Sequence, residues 1–174
     1  MTLSDLTAQE EHLMSRVALV TGQMEEKALQ LKLGGVFVAY EQVHKEYVGL
    51  AEQAGDLEAL KRAIFLQWYA VSEPCCFTGL SELGEDVQKR ALELLDQSVR
   101  RSQLDDEFRW MLAHYYNVSD YYLDRLEGFE ALKEISRTTP GDLWLHAASP
   151  RSSLDGRGQM GAYWRSITSS KSAV

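Results

Sequence analysis

The sequence predicts an all-α fold: an antiparallel helical bundle of five to six helices over residues 1–147, with an irregular C-terminal arm over 148–174. Three observations carry this. Apolar residues recur at steps of three and four in successive stretches, the signature of helices with one buried face. Glycine and aspartate punctuate the chain between those stretches. No run of alternating apolar and polar residues of strand length interrupts them.

The organising stretch is Asp56 to Glu73, DLEALKRAIFLQWYAVSE. Leu57, Leu60, Ile64, Trp68 and Val71 share one face, and Phe65, Leu66, Tyr69 and Ala70 make the other faces apolar from Ala63 onward. A helix apolar all round has to be surrounded by other elements, so this one is the central post. Pro74 lacks an N–H and pushes the preceding residue out of helical geometry, which ends the post at Glu73.

The first helical segment spans Leu3 to Leu33. Thr7 followed by Glu10 fits a capping box. Positions 3, 6, 10, 13, 17, 20, 24, 27 and 31 form a seam that is apolar except at Glu10 and Lys27. Gly22 weakens its middle by about 1 kcal/mol relative to alanine, so a kink or break is expected there. Gly34-Gly35 closes the segment. A second helix follows, with Val36, Tyr40, Val43, Tyr47, Leu50 and Ala54 on its buried face. Gly55 then serves as a left-handed stop and Asp56 as the N-cap of the post.

Residues 75–84 are a connection. Glu85-Asp86 place negative charge at the start of a fourth helix, where the helix dipole favours it. Its inner face is Val87, Ala91, Leu94, Leu95 and Val99. Asp105-Asp106-Glu107 open a fifth helix that runs to about Leu126. Phe108, Met111, Leu112, Tyr115, Val118, Tyr122 and Leu126 form its inner face. A short helix over Phe129 to Ser136 precedes the turn at residues 138–142. Beyond Ala148 the chain is rich in serine, glycine and arginine, a composition that normally does not fold by itself. This arm carries +3 against −11 for the rest. Its apolar island, Met160 to Trp164, is suited to docking in a groove between helices, in cis or on a neighbouring chain.

Composition narrows the function. The chain has 174 residues and a formal net charge of −8, which argues against nucleic acid as a partner because phosphate binding needs a basic surface. No apolar run approaches the roughly 20 residues of a membrane span, and the acidic N-terminus lacks the pattern of a signal peptide. Cys75 and Cys76 are the only cysteines. Adjacent in sequence, they are poorly placed for a relaxed disulfide and read as two thiols. A cytoplasmic location follows from these features.

Motifs that carry chemistry are scarce. Glu41 and His44 stand at i, i+3, and di-metal helical bundles use two such pairs with two further glutamates. His12, His114 and His146 are preceded at that spacing by Gln9, Met111 and Leu143, so half the signature is missing. Glu41 and His44 remain candidate ligands of a metal-dependent bundle protein. The fifth helix is the most aromatic part of the chain: seven of 17 aromatic residues lie from Phe108 to Phe129. Trp110, His114, Asn117 and Tyr121 share one of its faces. With Trp68, Tyr69 and Glu73 on the post, they are candidate walls of a small-molecule pocket between the helices at 57–73 and 105–126. Glu73 and His114 are candidate catalytic groups there, a general base and its neighbour. Arg157 to Trp164 has glycines and an arginine but no strand-to-helix setting for a phosphate loop.

No nucleophile, cofactor loop or complete metal set emerges, and no cofactor is implied. The expected function is therefore non-covalent binding to a partner protein, in an inhibitor, immunity-like or adaptor role, or self-association into a homo-oligomer. A small-molecule protein or enzyme using the aromatic pocket is the alternative, and a metal-dependent bundle the second.

Overall fold

The computed structural model describes residues 1–119, 128–139 and 154–170. The described residues form nine helices and no strand: α1 (Leu3–Leu19), α2 (Met24–Leu33), α3 (Val36–Ala54), α4 (Leu57–Ser72), α5 (Cys75–Thr78), α6 (Glu85–Arg100), α7 (Asp106–Val118), α8 (Glu130–Thr138) and α9 (Gly158–Ser170). The all-α class expected from the spacing is what folds, but the count of five to six helices is too low. The difference comes from the first segment dividing into α1 and α2, from the single turn α5, which is below what periodicity can register, and from α9 in the arm.

The post is α4. Residues 59–68 are buried without interruption, and α3, α5, α6, α7 and α9 all touch this helix. Asp56 accepts the N–H of Ala59 at 3.0 Å, and Gly55 holds φ +64°, so the cap and stop form as the sequence indicates. At the other end Glu73 is extended, with φ −129° and ψ 144°, as Pro74 requires. Phe65 and Trp68 are 0% and 1% exposed. Burying a side chain of that size contributes about 1.5–3 kcal/mol. Val71 lies beyond the enclosed stretch and is exposed.

The long first segment breaks into α1 and α2 near Gly22, whose φ of +119° is one that side-chain-bearing residues rarely adopt. The expected cap at Thr7 is displaced. Thr2 and Asp5 form the capping box instead, with Asp5 N–H donating to Thr2 Oγ1 at 3.2 Å and Thr2 N–H to Asp5 at 2.9 Å. Both pairs fit the pattern. The earlier one wins because it lets Leu3 and Leu6 join the buried face. Thr7 and Glu10 are left inside the helix, both buried.

The start of α7 is as expected, with Asp105 accepting the N–H of Phe108 at 2.8 Å. Its end is not. The helix stops at Val118, with Ser119 at φ −147°, and Val118 is 54% exposed rather than part of the inner face. Ser119 leaves the helix to meet Ser72 of the post, hydroxyl to hydroxyl at 2.9 Å. Tyr122 and Leu126 lie outside the described residues.

The arm is corrected as well: residues 158–170 are helical, not irregular. Glycine and serine make that stretch a poor helix in isolation, but tertiary packing of a buried face outweighs propensity. Met160 and Trp164 are each 1% exposed, and α9 lies against α1 and α4.

Candidate functional site

Two clusters meet where α9 lands on the body, one aromatic and one charged. The aromatic cluster is built by α4 and α7. Trp68 is buried on the post, with Tyr69 half-buried beside it. Its ring stacks on Tyr115 at 4.6 Å and meets the His114 ring at 6.0 Å. Trp110 and His114, one turn apart on α7, have ring centres 5.9 Å apart. These expected residues do converge. The space between them is taken by α9. Tyr163 lies 5.3 Å from Trp68, 5.4 Å from Tyr69 and 5.9 Å from His114. Trp164 lies 4.3 Å from Trp110 and 4.8 Å from His114. His114 Nε2 and the Tyr163 hydroxyl are 2.7 Å apart. The chain's own rings therefore fill the volume a ligand would need between α4 and α7.

The other expected residues stand apart. Asn117 and Glu73 are exposed, and among the described residues no hydrogen bond joins Glu73 to His114. Tyr121 lies outside the described residues. Glu41 is exposed on α3, whereas His44, three residues on, is fully buried. His44 Nε2 faces the side-chain nitrogen of Gln67 at 2.9 Å, and burial pushes its pKa down to about 4. Among the described residues no three of His, Cys, Asp and Glu stand together as a metal site. Cys75 and Cys76 are both free thiols.

The charged cluster was not anticipated. Arg157, just ahead of α9, is held by two carboxylates. Its Nε donates to Glu58 at 2.7 Å and its Nη2 to the same carboxylate at 2.5 Å. Nη1 and Nη2 donate to Glu107 at 2.7 and 3.0 Å. Lys61, 5% exposed, bridges Glu107 at 2.5 Å and Asp105 at 2.6 Å. Burial works to raise the Glu107 carboxyl, but hydrogen bonds from Arg157 and Lys61 outweigh it and hold its pKa at about 2. Arg62 donates to Glu58 at 2.8 Å, to the Thr7 hydroxyl at 2.7 Å and to the Gly156 carbonyl at 3.2 Å.

Glu10 completes the cluster. It is 1% exposed, accepts the Tyr47 hydroxyl at 2.6 Å and takes the backbone N–H of Gln159 at 2.8 Å. A carboxylate at the first turn of α9 satisfies a donor the helix cannot use internally. Burial pushes its pKa up, against the hydrogen bonds from Tyr47 and Gln159 and the charge of Arg62. The signal for this cluster stood in the sequence: Glu10 interrupts an apolar seam, and Lys61 and Arg62 interrupt an otherwise enclosed post. Charges are rarely buried unless paired, so each interruption implies a partner, which only the fold identifies.

Among the described residues no helix is long and apolar enough to cross a membrane. No family model, curated protein or solved structure matches this chain.

Proposed function

We propose that this protein works by non-covalent binding of a partner protein, in an inhibitor, immunity-like or adaptor role, and that α2 with the end of α1 and the start of α3 is the docking face. One observation carries the reading. Of the nine large apolar side chains exposed among the described residues, five fall within residues 19–38: Leu19, Met24, Leu29, Leu33 and Val38. Leu29 and Leu33 are one turn apart on α2, opposite its single buried residue, Leu31. They are 56% and 79% exposed, Leu19 is 80% and Val38 is 70%. Scattered exposed apolar residues need no explanation, but a concentration of them marks an interaction surface. The charged residues of this stretch are of both signs, Glu25 and Glu26 with Lys27 and Lys32, so the apolar side chains carry the recognition.

The filled space between α4 and α7 supports this reading over the small-molecule alternative at that place, since a ligand there would have to displace Tyr163 and Trp164. The test is a double substitution, Leu29→Glu with Leu33→Glu. Both side chains face solvent, so stability is expected to stay within about 0.5 kcal/mol of the parent. A polypeptide retained by the parent in pull-downs and lost by the double variant supports the proposal. The same polypeptides retained equally by both refute it. Light scattering across a concentration series identifies a second copy of this chain as the occupant, if mass rises for the parent and not for the variant.

A further inference from the structure

Three of the chain's four tryptophans and three tyrosines stand in one run where α4, α7 and α9 meet. Ring centres are 4.3 Å apart for Trp110 and Trp164, 5.9 Å for Trp164 and Tyr115, and 4.6 Å for Tyr115 and Trp68. Tyr163 lies 5.1 Å from Trp164 and 5.3 Å from Trp68. Indole and phenol are among the side chains most easily oxidised by one electron. Electron transfer weakens exponentially with the gap between donor and acceptor, and rings at these separations are in van der Waals contact. An electron deficit created on one ring can therefore pass to the others.

The rings differ in where a proton can go. An indole or phenol that loses an electron becomes a strongly acidic cation, and a charge is costly in an apolar interior. Trp68, Tyr115 and Trp164 are each 1% exposed, and among the described residues no imidazole or carboxylate accepts their N–H or O–H. Tyr163 is different. Its hydroxyl lies 2.7 Å from His114 Nε2, and the phenol, the stronger acid of the two neutral groups, is the donor. Burial first, then Tyr69 and Glu73, push the Tyr163 pKa up to about 12, so the ring keeps its proton until it is oxidised. Tyr163 is half-buried and lines a groove of about 290 Å³, through which a small solute reaches its edge. The facing walls, Met14, Val17 and Phe77, are apolar, which suits an organic oxidant over a charged one.

We propose that this cluster is a one-electron relay ending at Tyr163, which reduces organic peroxyl radicals while His114 Nε2 takes the phenolic proton. This activity is separate from docking at the α2 face and stands or falls independently of it. Tyr163 loses one electron and its hydroxyl proton and becomes a neutral phenoxyl radical. The peroxyl radical gains that electron and a proton from solvent and leaves as a hydroperoxide. His114 becomes imidazolium, so the positive charge rests on a half-buried base and not on a ring of the core. An electron deficit that starts on Trp110, half-buried at the far end of the run, reaches the same terminus through Trp164.

Pulse radiolysis of the full chain with trichloromethylperoxyl radicals tests the proposal, at mildly alkaline pH where imidazole is neutral. Time-resolved absorption separates indolyl from phenoxyl radicals. In the parent, indolyl absorption is expected to convert to phenoxyl at a rate independent of protein concentration. Tyr163→Phe keeps the ring and its packing, and is expected to lose most of the conversion. His114→Phe keeps an aromatic ring and removes the base, and is expected to slow the conversion by roughly a hundredfold, the lower end of what a positioned base contributes. Heavy water is expected to slow it in the parent, because the proton moves with the electron. That measurement serves should the His114 variant not fold. No phenoxyl signal in the parent, undiminished conversion in Tyr163→Phe, or a rate indifferent to both His114→Phe and heavy water overturns the proposal.

Discussion

The Glu10 carboxylate accepts the backbone N–H of Gln159 at 2.8 Å across 149 positions of sequence. It ties the second turn of α1 to the first turn of α9. Around that bond the same segment is held by Arg157 on Glu58 and Glu107, by the Gln159 side chain on Thr78, and by Trp164 among the rings of α7. A helix of weak intrinsic propensity is thus fixed at both its polar start and its apolar face.

Arg157→Ala tests the charged half of this attachment. Removing Arg157 from a mostly buried ion network leaves Glu58 with Arg62 and Glu107 with Lys61 as their remaining partners, and the lost charge-assisted hydrogen bonds cost about 1–3 kcal/mol. Denaturant unfolding measures the loss, and a red shift of tryptophan emission reports the exposure of Trp164. Arg157→Lys is expected to recover only part of the stability, because an ammonium does not reproduce the two-carboxylate fork. Parent-like stability in Arg157→Ala would show that these pairs contribute no more than surface ones.

Two glycines two residues apart separate backbone strain from crowding. Gly156 and Gly158 have φ of +68° and +57°. A Cβ at Gly156 meets nothing within 4 Å, whereas one at Gly158 lies 2.5 Å from the Glu10 carboxyl carbon. Gly156→Ala is expected to cost about 1–2 kcal/mol, the left-handed penalty alone. Gly158→Ala is expected to cost about 2–5 kcal/mol, since overpacking adds roughly 1–3 kcal/mol. Equal losses in thermal unfolding would place the α1–α9 contact further apart than described.

His44 makes stability depend on pH. Its folded pKa is about 4, lowered by burial, against 6.5 when unfolded. Between those values the unfolded chain binds a proton that the folded chain refuses, so stability falls as pH drops from 6.5 and levels off below about 4. The full effect of one such group is roughly 3 kcal/mol. Unfolding free energies at a series of pH values should show this slope in the parent. In His44→Phe the slope should be missing, whatever the absolute stability. An unchanged slope would assign the acid sensitivity elsewhere.

Much of the fold is legible in the sequence because it is set locally. The break near Gly22, the stop at Gly55, the cap at Asp56 and the end of the post before Pro74 each rest on one or two residues whose backbone preferences are strong. The seam on α3 and the enclosed stretch of α4 rest on periodicity: Val36, Tyr40, Val43 and Tyr47 are buried as the spacing indicates, whereas Leu50 is half-buried and Ala54, the last residue of α3, is exposed. The candidate site was legible only in part. Trp68, Trp110 and His114 converge, since helical spacing places residues on a face, but spacing does not say what fills the gap between faces.

By itself, then, the sequence determined an all-α fold with α4 at its centre, because capping, helix breaking and apolar periodicity act within a few residues. Only the tertiary structure decided that residues 158–170 become a helix, that Tyr163 and Trp164 occupy the space between α4 and α7, and that Glu10, Arg62 and Arg157 meet. Those outcomes depend on partners 49 or more positions away in the sequence. A buried charge shows in sequence that it needs a partner, and the packing of the whole chain selects which one.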